Sequence, residues 1–447
     1  QTMAELDVSR FYTRLGKLHG AFLKHRTGPW REATCLVLNR GQLNDEDPYL
    51  KSVVLHHYLF GYELPDTALL LTQSGKCFVL ATKKKCEFLE SAVDKAPEGS
   101  SITGLTLLRR NKSDNNAENF NIMLKEADLA ANGENGNGSK KKVGVLSKEW
   151  SASINNGSIL SGWQKTLDEA GNVELVDVSP GIGLVLAVKD DVELDLMRKS
   201  SVLSNKVLKH GCIPRIEEVI DSEQTVTHEQ MSTEIEGIIE DPSKIKLKVP
   251  KEHVQSCYFP IVQSGGEYDI RISAQSTGKT LKYDIITVSL GARYQLYCSN
   301  VARTFLVDPP KAVSQTYETL VSMQEACLKA MVPGRPLKGV YLAAVKHLKR
   351  EEREDLVKRL PKSLGFSIGL DFREPGLVLG AKNPAIFRQG MVFNLSVGFT
   401  DVNLSESARA SCNSKSAVKS IAKFGMVISD MVSITDRSPD VLTKHSK

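Results

Sequence analysis

Apolar residues recur at helical spacing near the start of the chain. Phe11, Leu15, Leu18 and Phe22 share one face of residues 5–26, which predicts an amphipathic helix. TCLVLNR follows as a strand, and Asp47-Pro48 then reads as a helix start, the aspartate as cap and the proline at the first helical position, over YLKSVVLHHYLFGYE. DTALLLTQSGKCFVLA predicts two strands joined at Ser74-Gly75, and residues 101–109 another. Ala130 to Lys142 has no apolar residue after its two alanines and reads as a loop. VGVLS and VELVDVS are strands on either side of a helix near Gly162–Gly171. Strand alternating with helix makes this half an α/β lobe.

Ser179-Pro180-Gly181 punctuates the pattern and reads as the boundary between a lobe at 1–178 and a lobe at 179–447. A long helix follows, with Val192, Leu196, Ser200 and Leu203 on one face. Thr227 is placed to cap a second helix, His228–Glu240, whose buried stripe is Met231, Ile235, Ile238 and Ile239. Glu229, Glu236 and Glu240 fall on its opposite side. From Arg215 to Lys244 there are nine acidic residues against two basic ones. Such a face is either solvated or a docking surface for a basic partner.

Tyr283–Pro310 organises the second half. It predicts strands at 284–290, 293–298 and 303–307, a break at Gly291, and Tyr294, Leu296 and Cys298 on one face of the middle strand. Antiparallel pairing then aims Ser289 and Asn300 into one pocket. Helices Ala312–Met331 and Leu337–Arg350 come next, followed by strand segments within SLGFSIGLDFREPG, QGMVFNLSVGFT and FGMVISDMVSIT.

Composition narrows the class. The 447 residues are 41% hydrophobic and 25% charged, as in a globular protein with a sizeable core. No run of ~18 apolar residues predicts a membrane span. No secretory signal opens the chain, and Gln1 and Thr2 ahead of Met3 read as residues added before a native start. Eight scattered cysteines without a C-x-x-C pair read as buried reduced thiols of a cytosolic or nuclear protein. A net charge of +5 is mild for this length and gives no ground for strong direct DNA binding. The His56-His57 pair lacks partners at metal-ligand spacing and reads as packed or solvated.

The run SLGARYQLYCSNVARTF resembles a segment of the creatinase and methionine-aminopeptidase ("pita-bread") proteins, with Gly291, Tyr297, Arg303 and Thr304 keeping the frame. Together with FPIVQSGGEYDIRISA and LFGYELPDT, the chain is similar to the N-terminal domain of the large-subunit family of the FACT histone chaperone. That resemblance implies an α/β (α+β) protein of two lobes, a creatinase-type α/β lobe followed by a pita-bread lobe. Pita-bread peptidases hold two metal ions with two aspartates, a histidine and two glutamates. Here those positions fall on Ser289, Asn300, Phe366 (in GFSIGL), Ser396 (in FNLSVG) and Ser429 (in VISDMVSIT). A second family histidine falls on Arg373, which stays protonated and cannot shuttle a proton at neutral pH. Between His253 and His445 the only histidine is His347.

No catalytic residue, metal or cofactor is therefore expected. The resemblance implies a non-catalytic, nuclear, chromatin-associated module that binds core histones as nucleosomes are reorganised in transcription, replication and repair. It also implies an HMG-box-containing small subunit as partner, joined through regions outside this chain. Glu229, Glu236 and Glu240 are the candidate histone contacts. The rival readings are an active metallo-aminopeptidase and a structural scaffold with an unused cleft.

Overall fold

The computed structural model describes residues 5–42, 48–129, 140–150, 158–413 and 416–444. Asp47 and most of the Ala130–Lys142 segment lie outside the described residues. The chain divides into two compact units, Gln1–Leu186 and Ala187–Lys447.

The first unit is a mixed sheet with helices. Its strands are β1 (Cys35–Val37), β2 (Ala68–Thr72), β3 (Lys76–Ala81), β4 (Gly104–Arg109), β5 (Lys141–Val145) and β6 (Val173–Asp177), in the order β4-β3-β2-β1-β5-β6. β1 pairs antiparallel with β2 and parallel with β5, so the sheet joins a meander to parallel strands. The helices are α1 (Val8–Lys24), α2 (Lys51–Phe60), α3 (Lys83–Leu89), α4 (Ala117–Glu126), α5 (Ser147–Trp150) and α6 (Ile159–Glu169). Phe120, Met123, Trp163 and Leu167 of α4 and α6 pack on Val37, Leu70, Phe78 and Val145 of the strands. α1 buries the expected Phe11, Leu15, Leu18 and Phe22, and Asp7 caps it by accepting from the Arg10 N–H. His56 is fully buried on α2, edge-on to Phe60, and burial drives its imidazole down to about 3, so it stays neutral.

Ser179-Pro180-Gly181, expected to act as punctuation, opens helix α7 (Ser179–Ala187) instead. Proline is compatible with the first turn of a helix, where its missing N–H has no intrahelical partner.

The second unit starts with α8 (Asp191–Val207), a π-helical turn at Leu208–Cys212, α9 (Ile213–Asp221) and α10 (His228–Glu240). Their apolar faces pack on strands β7 (Val254–Ser256), β8 (Ile261–Gln263), β9 (Ile285–Leu290), β10 (Ala292–Tyr294) and β12 (Val301–Leu306). α10 matches its expected span, with Thr227 and Gln230 forming a capping box. On α8 the expected face holds at Ser200 and Leu203, which are buried, and fails at its first residue. Val192 is exposed, while Glu193 is buried, bonded to the Asp190 N–H at the cap and to the Tyr297 hydroxyl. Two hydrogen bonds outweigh the apolar pattern there.

β11 (Tyr297–Cys298) forms a small sheet with β10 and β7. The expected continuous strand 293–298 is a hairpin. Gln295 and Leu296 take positive φ of 44° and 73°, and Tyr294 pairs with Tyr297. Twin left-handed residues give the turn that matches strand twist, but glycine or asparagine, its usual signal, is missing. Gly291 is required: a Cβ there would stand 2.7 Å from the Ser299 carbonyl oxygen.

The rest of the unit comprises α11 (Lys311–Ala330), α12 (Lys338–Arg350), α13 (Glu354–Val357), β13 (Ser363–Ser367), β14 (Val378–Gly380), β15 (Val392–Asn403), α14 (Glu406–Ala410), β16 (Lys423–Ser433) and β17 (Asp440–Val441). The main sheet runs β14-β13-β15-β16-β12-β9-β8, antiparallel throughout, with β17 also on β16.

Candidate functional site

The sheet of the second unit carries a cleft of about 820 Å³. Ser289, Asn300, Phe366 and Ser396 line it, brought from four different strands or strand ends. Register explains the convergence. Ser289 on β9 faces Ala302 on β12, which places Asn300 just before β12 at the same level. Ser396 on β15 is the cross-strand partner of Ser429 on β16, and Ala302 pairs with Ser429 from the other side. Ser429 is fully buried beneath the cleft. All five positions singled out in the sequence therefore belong to one locality.

Neutral hydrogen bonding holds that locality together. The Tyr258 hydroxyl lies between the first two positions, 2.7 Å from Ser289 Oγ and donating to Asn300 Oδ1. Because the phenol proton goes to Asn300, Ser289 donates to Tyr258. Asn300 Nδ2 donates to Ser429 Oγ at 3.1 Å and to Asn394 Oδ1 at 3.3 Å. Ser429 Oγ in turn donates to Asn394 Oδ1 at 2.6 Å. Burial pushes the Tyr258 phenol well above its usual range, so it remains a donor at physiological pH. Tyr258 stacks edge-on against Phe372, which packs on Phe366.

These groups do not suit a divalent cation. Hydroxyl, amide and phenyl offer no charge to offset an ion, and carboxylate or imidazole ligands are what such ions take. Among the described residues, no group of three or more His, Cys, Asp and Glu side chains could hold a metal.

A buried carboxylate precedes β9. Asp284, fully buried, accepts from the Gly265 and Ile285 backbone N–H groups. It pins the Gly265-Gly266 turn, which leads to Tyr268 and Asp269 at the cleft wall. Burial raises its carboxyl to about 6, against backbone hydrogen bonds that lower it.

On the other side of the same strands, Arg303 donates to the Ala302 and Ser429 carbonyls at 2.8 Å each and pairs with Asp430 at 2.8 Å. Gln324 of α11 and Thr443 complete Asp430's partners at 2.7 Å each.

The acidic residues of α10 sit apart from the cleft. Glu229 and Glu240 are exposed and Glu236 is half-buried, its carboxyl raised by burial and then by Glu240. Glu229 lies at the opposite end of the helix, near Gly278. Two neighbours dilute the field: Arg215 binds Glu234 at 2.7 Å, and the Lys244 ammonium lies 3.0 Å from where a Gly237 Cβ would stand.

Sequence reading missed Tyr258 and Asn394. Asn394 had a signal, since it lies two residues before Ser396 on the same strand face and pairs with Phe366 across β13–β15. Tyr258 had none, its partners being 31 and 42 residues away.

Comparison with known proteins agrees with both units. Residues 6–181 match the family described as the FACT complex subunit SPT16 N-terminal lobe domain, and residues 195–436 match metallopeptidase family M24. FACT complex subunit SPT16 of Arabidopsis thaliana is 36% identical over 99% of this chain. The chain spans about 40% of the length of that relative. The solved N-terminal domain of FACT complex subunit SPT16 from chickpea (Cicer arietinum) superposes with a TM-score of 0.84 at 32% identity, covering 99% of this chain and 98% of that one. A prolidase from Thermococcus sibiricus shares the fold at 19% identity, with a TM-score of 0.62 and 99% of each chain covered.

Proposed function

We propose that this chain, which belongs to the SPT16 family of FACT complex subunits and corresponds to their N-terminal domain, is a non-catalytic histone-binding module of a nuclear histone chaperone. The observation that carries the non-catalytic reading is the Tyr258 hydroxyl bonded between Ser289 and Asn300, where an M24 peptidase needs charged ligands. A pita-bread lobe with that floor keeps a shape for recognition and lacks the groups that activate water. In this reading the module works on chromatin during nucleosome reorganisation. An HMG-box-containing small subunit joins the assembly through parts of the longer protein beyond this chain.

The histone contact is assigned to α10, where Glu229, Glu236 and Glu240 offer negative charge to a basic partner. Arg215 and Lys244 offset part of that charge, so the contact is weak and salt-sensitive. The test is a titration of core histones against the chain with all three glutamates changed to lysine, at low and moderate salt. Affinity should fall with the substitution and with salt. Unchanged affinity under both would reject the acidic face. Metal-dependent cleavage of any peptide by the purified chain would reject the non-catalytic reading.

A further inference from the structure

With no carboxylate at the five positions that ligate metal in the peptidases, the cleft has its own charge balance. Five ionisable side chains of fixed sign line it among the described residues: Asp269, Arg271, Lys362, Arg373 and Asp401. Arg271 grips Asp269 at 2.6 Å, and Gln263 holds Asp269 through both its backbone N–H and carbonyl, so this pair is spent on the wall itself. Lys362 and Arg373 are exposed at the cleft, and neither makes an ion pair with a carboxylate among the described residues. Asp401 is the remaining counter-charge, leaving an excess of positive charge.

The two cations are placed, not merely present. The Arg373 guanidinium carbon lies 5.5 Å from the centroid of the Phe366 ring, within cation–π range. Lys362 immediately precedes β13, and Phe366 stands near the strand's other end. The register of β13 shifts between Ser363 and Phe366, so the two cations flank an irregular stretch of strand.

We infer that the cleft is a docking groove for an extended acidic peptide segment of a partner protein, with its carboxylates engaging Lys362 and Arg373. Elsewhere in the cleft, Ser289 and Ser396 offer hydroxyls, and Ile270 and Ile272 an apolar wall. A nucleic-acid backbone fits less well, since it calls for a continuous basic track. The inference rests on the proposed function only in treating the cleft as non-catalytic. The glutamates of α10 play no part in it.

The experiment is fluorescence anisotropy at low salt with a labelled peptide carrying two glutamates on an alanine–serine background. It should bind at least about tenfold more tightly than the same peptide with glutamine or lysine at those positions. The pair Lys362→Gln and Arg373→Gln should erase the preference, and Lys362→Glu with Arg373→Glu should invert it in favour of the lysine peptide. The α10 triple lysine variant should bind the acidic peptide unchanged, even where it loses histones, so the two readings fail separately. Equal affinity for the glutamate and glutamine peptides would overturn the inference. So would a preference that survives charge reversal in a folded variant, or displacement of the peptide by a single-stranded oligonucleotide at equal concentration.

Discussion

Ser429 and Asp430 are adjacent on β16 and serve two opposite kinds of polar arrangement. Ser429 belongs to the neutral network under the cleft, with Asn300, Asn394 and Tyr258. Asp430 belongs to an ion pair with Arg303, tied also to α11 through Gln324. Both rest on β12 and its leading residues, so the same two strands carry a discharged site and a charged one. Clustered carboxylates repel one another unless a cation sits among them, and a protein that holds no metal there is better served by hydroxyls and amides. An Arg–Asp pair compensates itself and goes on joining strands whatever happens to the metal.

The charged side should be the costlier to disturb. Arg303→Met strands Asp430 in a buried setting, and a loss of about 3–5 kcal/mol in urea denaturation is expected. Arg303→Met combined with Asp430→Leu should recover part of it; no recovery would mean that the pair is not what holds the strands.

Asp284 lies between the two extremes, as a buried carboxyl held by backbone donors, with the Lys282 charge adding a smaller favourable influence. Its folded value of about 6 exceeds the unfolded aspartate value, so the folded state binds the extra proton between them. Its contribution is therefore fully present below about pH 4 and is lost as pH rises through about 6, by up to about 3 kcal/mol. Asp284→Asn should flatten that segment of the stability–pH curve. An identical slope in the variant would assign the effect elsewhere.

On the neutral side, Tyr258→Phe leaves Asn300 Oδ1 and Ser289 without their shared partner. A cost of about 1–3 kcal/mol is expected, again by denaturation. The smallest effect is expected from metal. Added zinc, manganese or cobalt should leave the melting temperature unchanged, because a cation that does not bind the native state cannot stabilise it. A stoichiometric ion found by elemental analysis would break the comparison outright.

Local chemistry makes α10 legible from the residues alone. Thr227, Gln230, Met231, Ile235 and Ile239 lie within four turns of one another, and capping and periodicity act over that range. The first lobe's strands and α1 are readable for the same reason. The set Ser289, Asn300, Phe366, Ser396 and Ser429 comes from the resemblance to pita-bread peptidases, and the residue types standing there include no carboxylate or imidazole. Tertiary structure decided the rest. It put Glu193 rather than Val192 inside, because the Tyr297 hydroxyl, 104 residues on, bonds its carboxylate. It bent 293–298 into a hairpin through two left-handed residues that no glycine announced. It set the Tyr258 hydroxyl between Ser289 and Asn300, and bonded Asn300 to Ser429 across 129 residues. Periodicity and capping report what a residue does with its own turn or strand. Which polar groups meet across a sheet depends on strand order and register, and those are set only when the whole core packs.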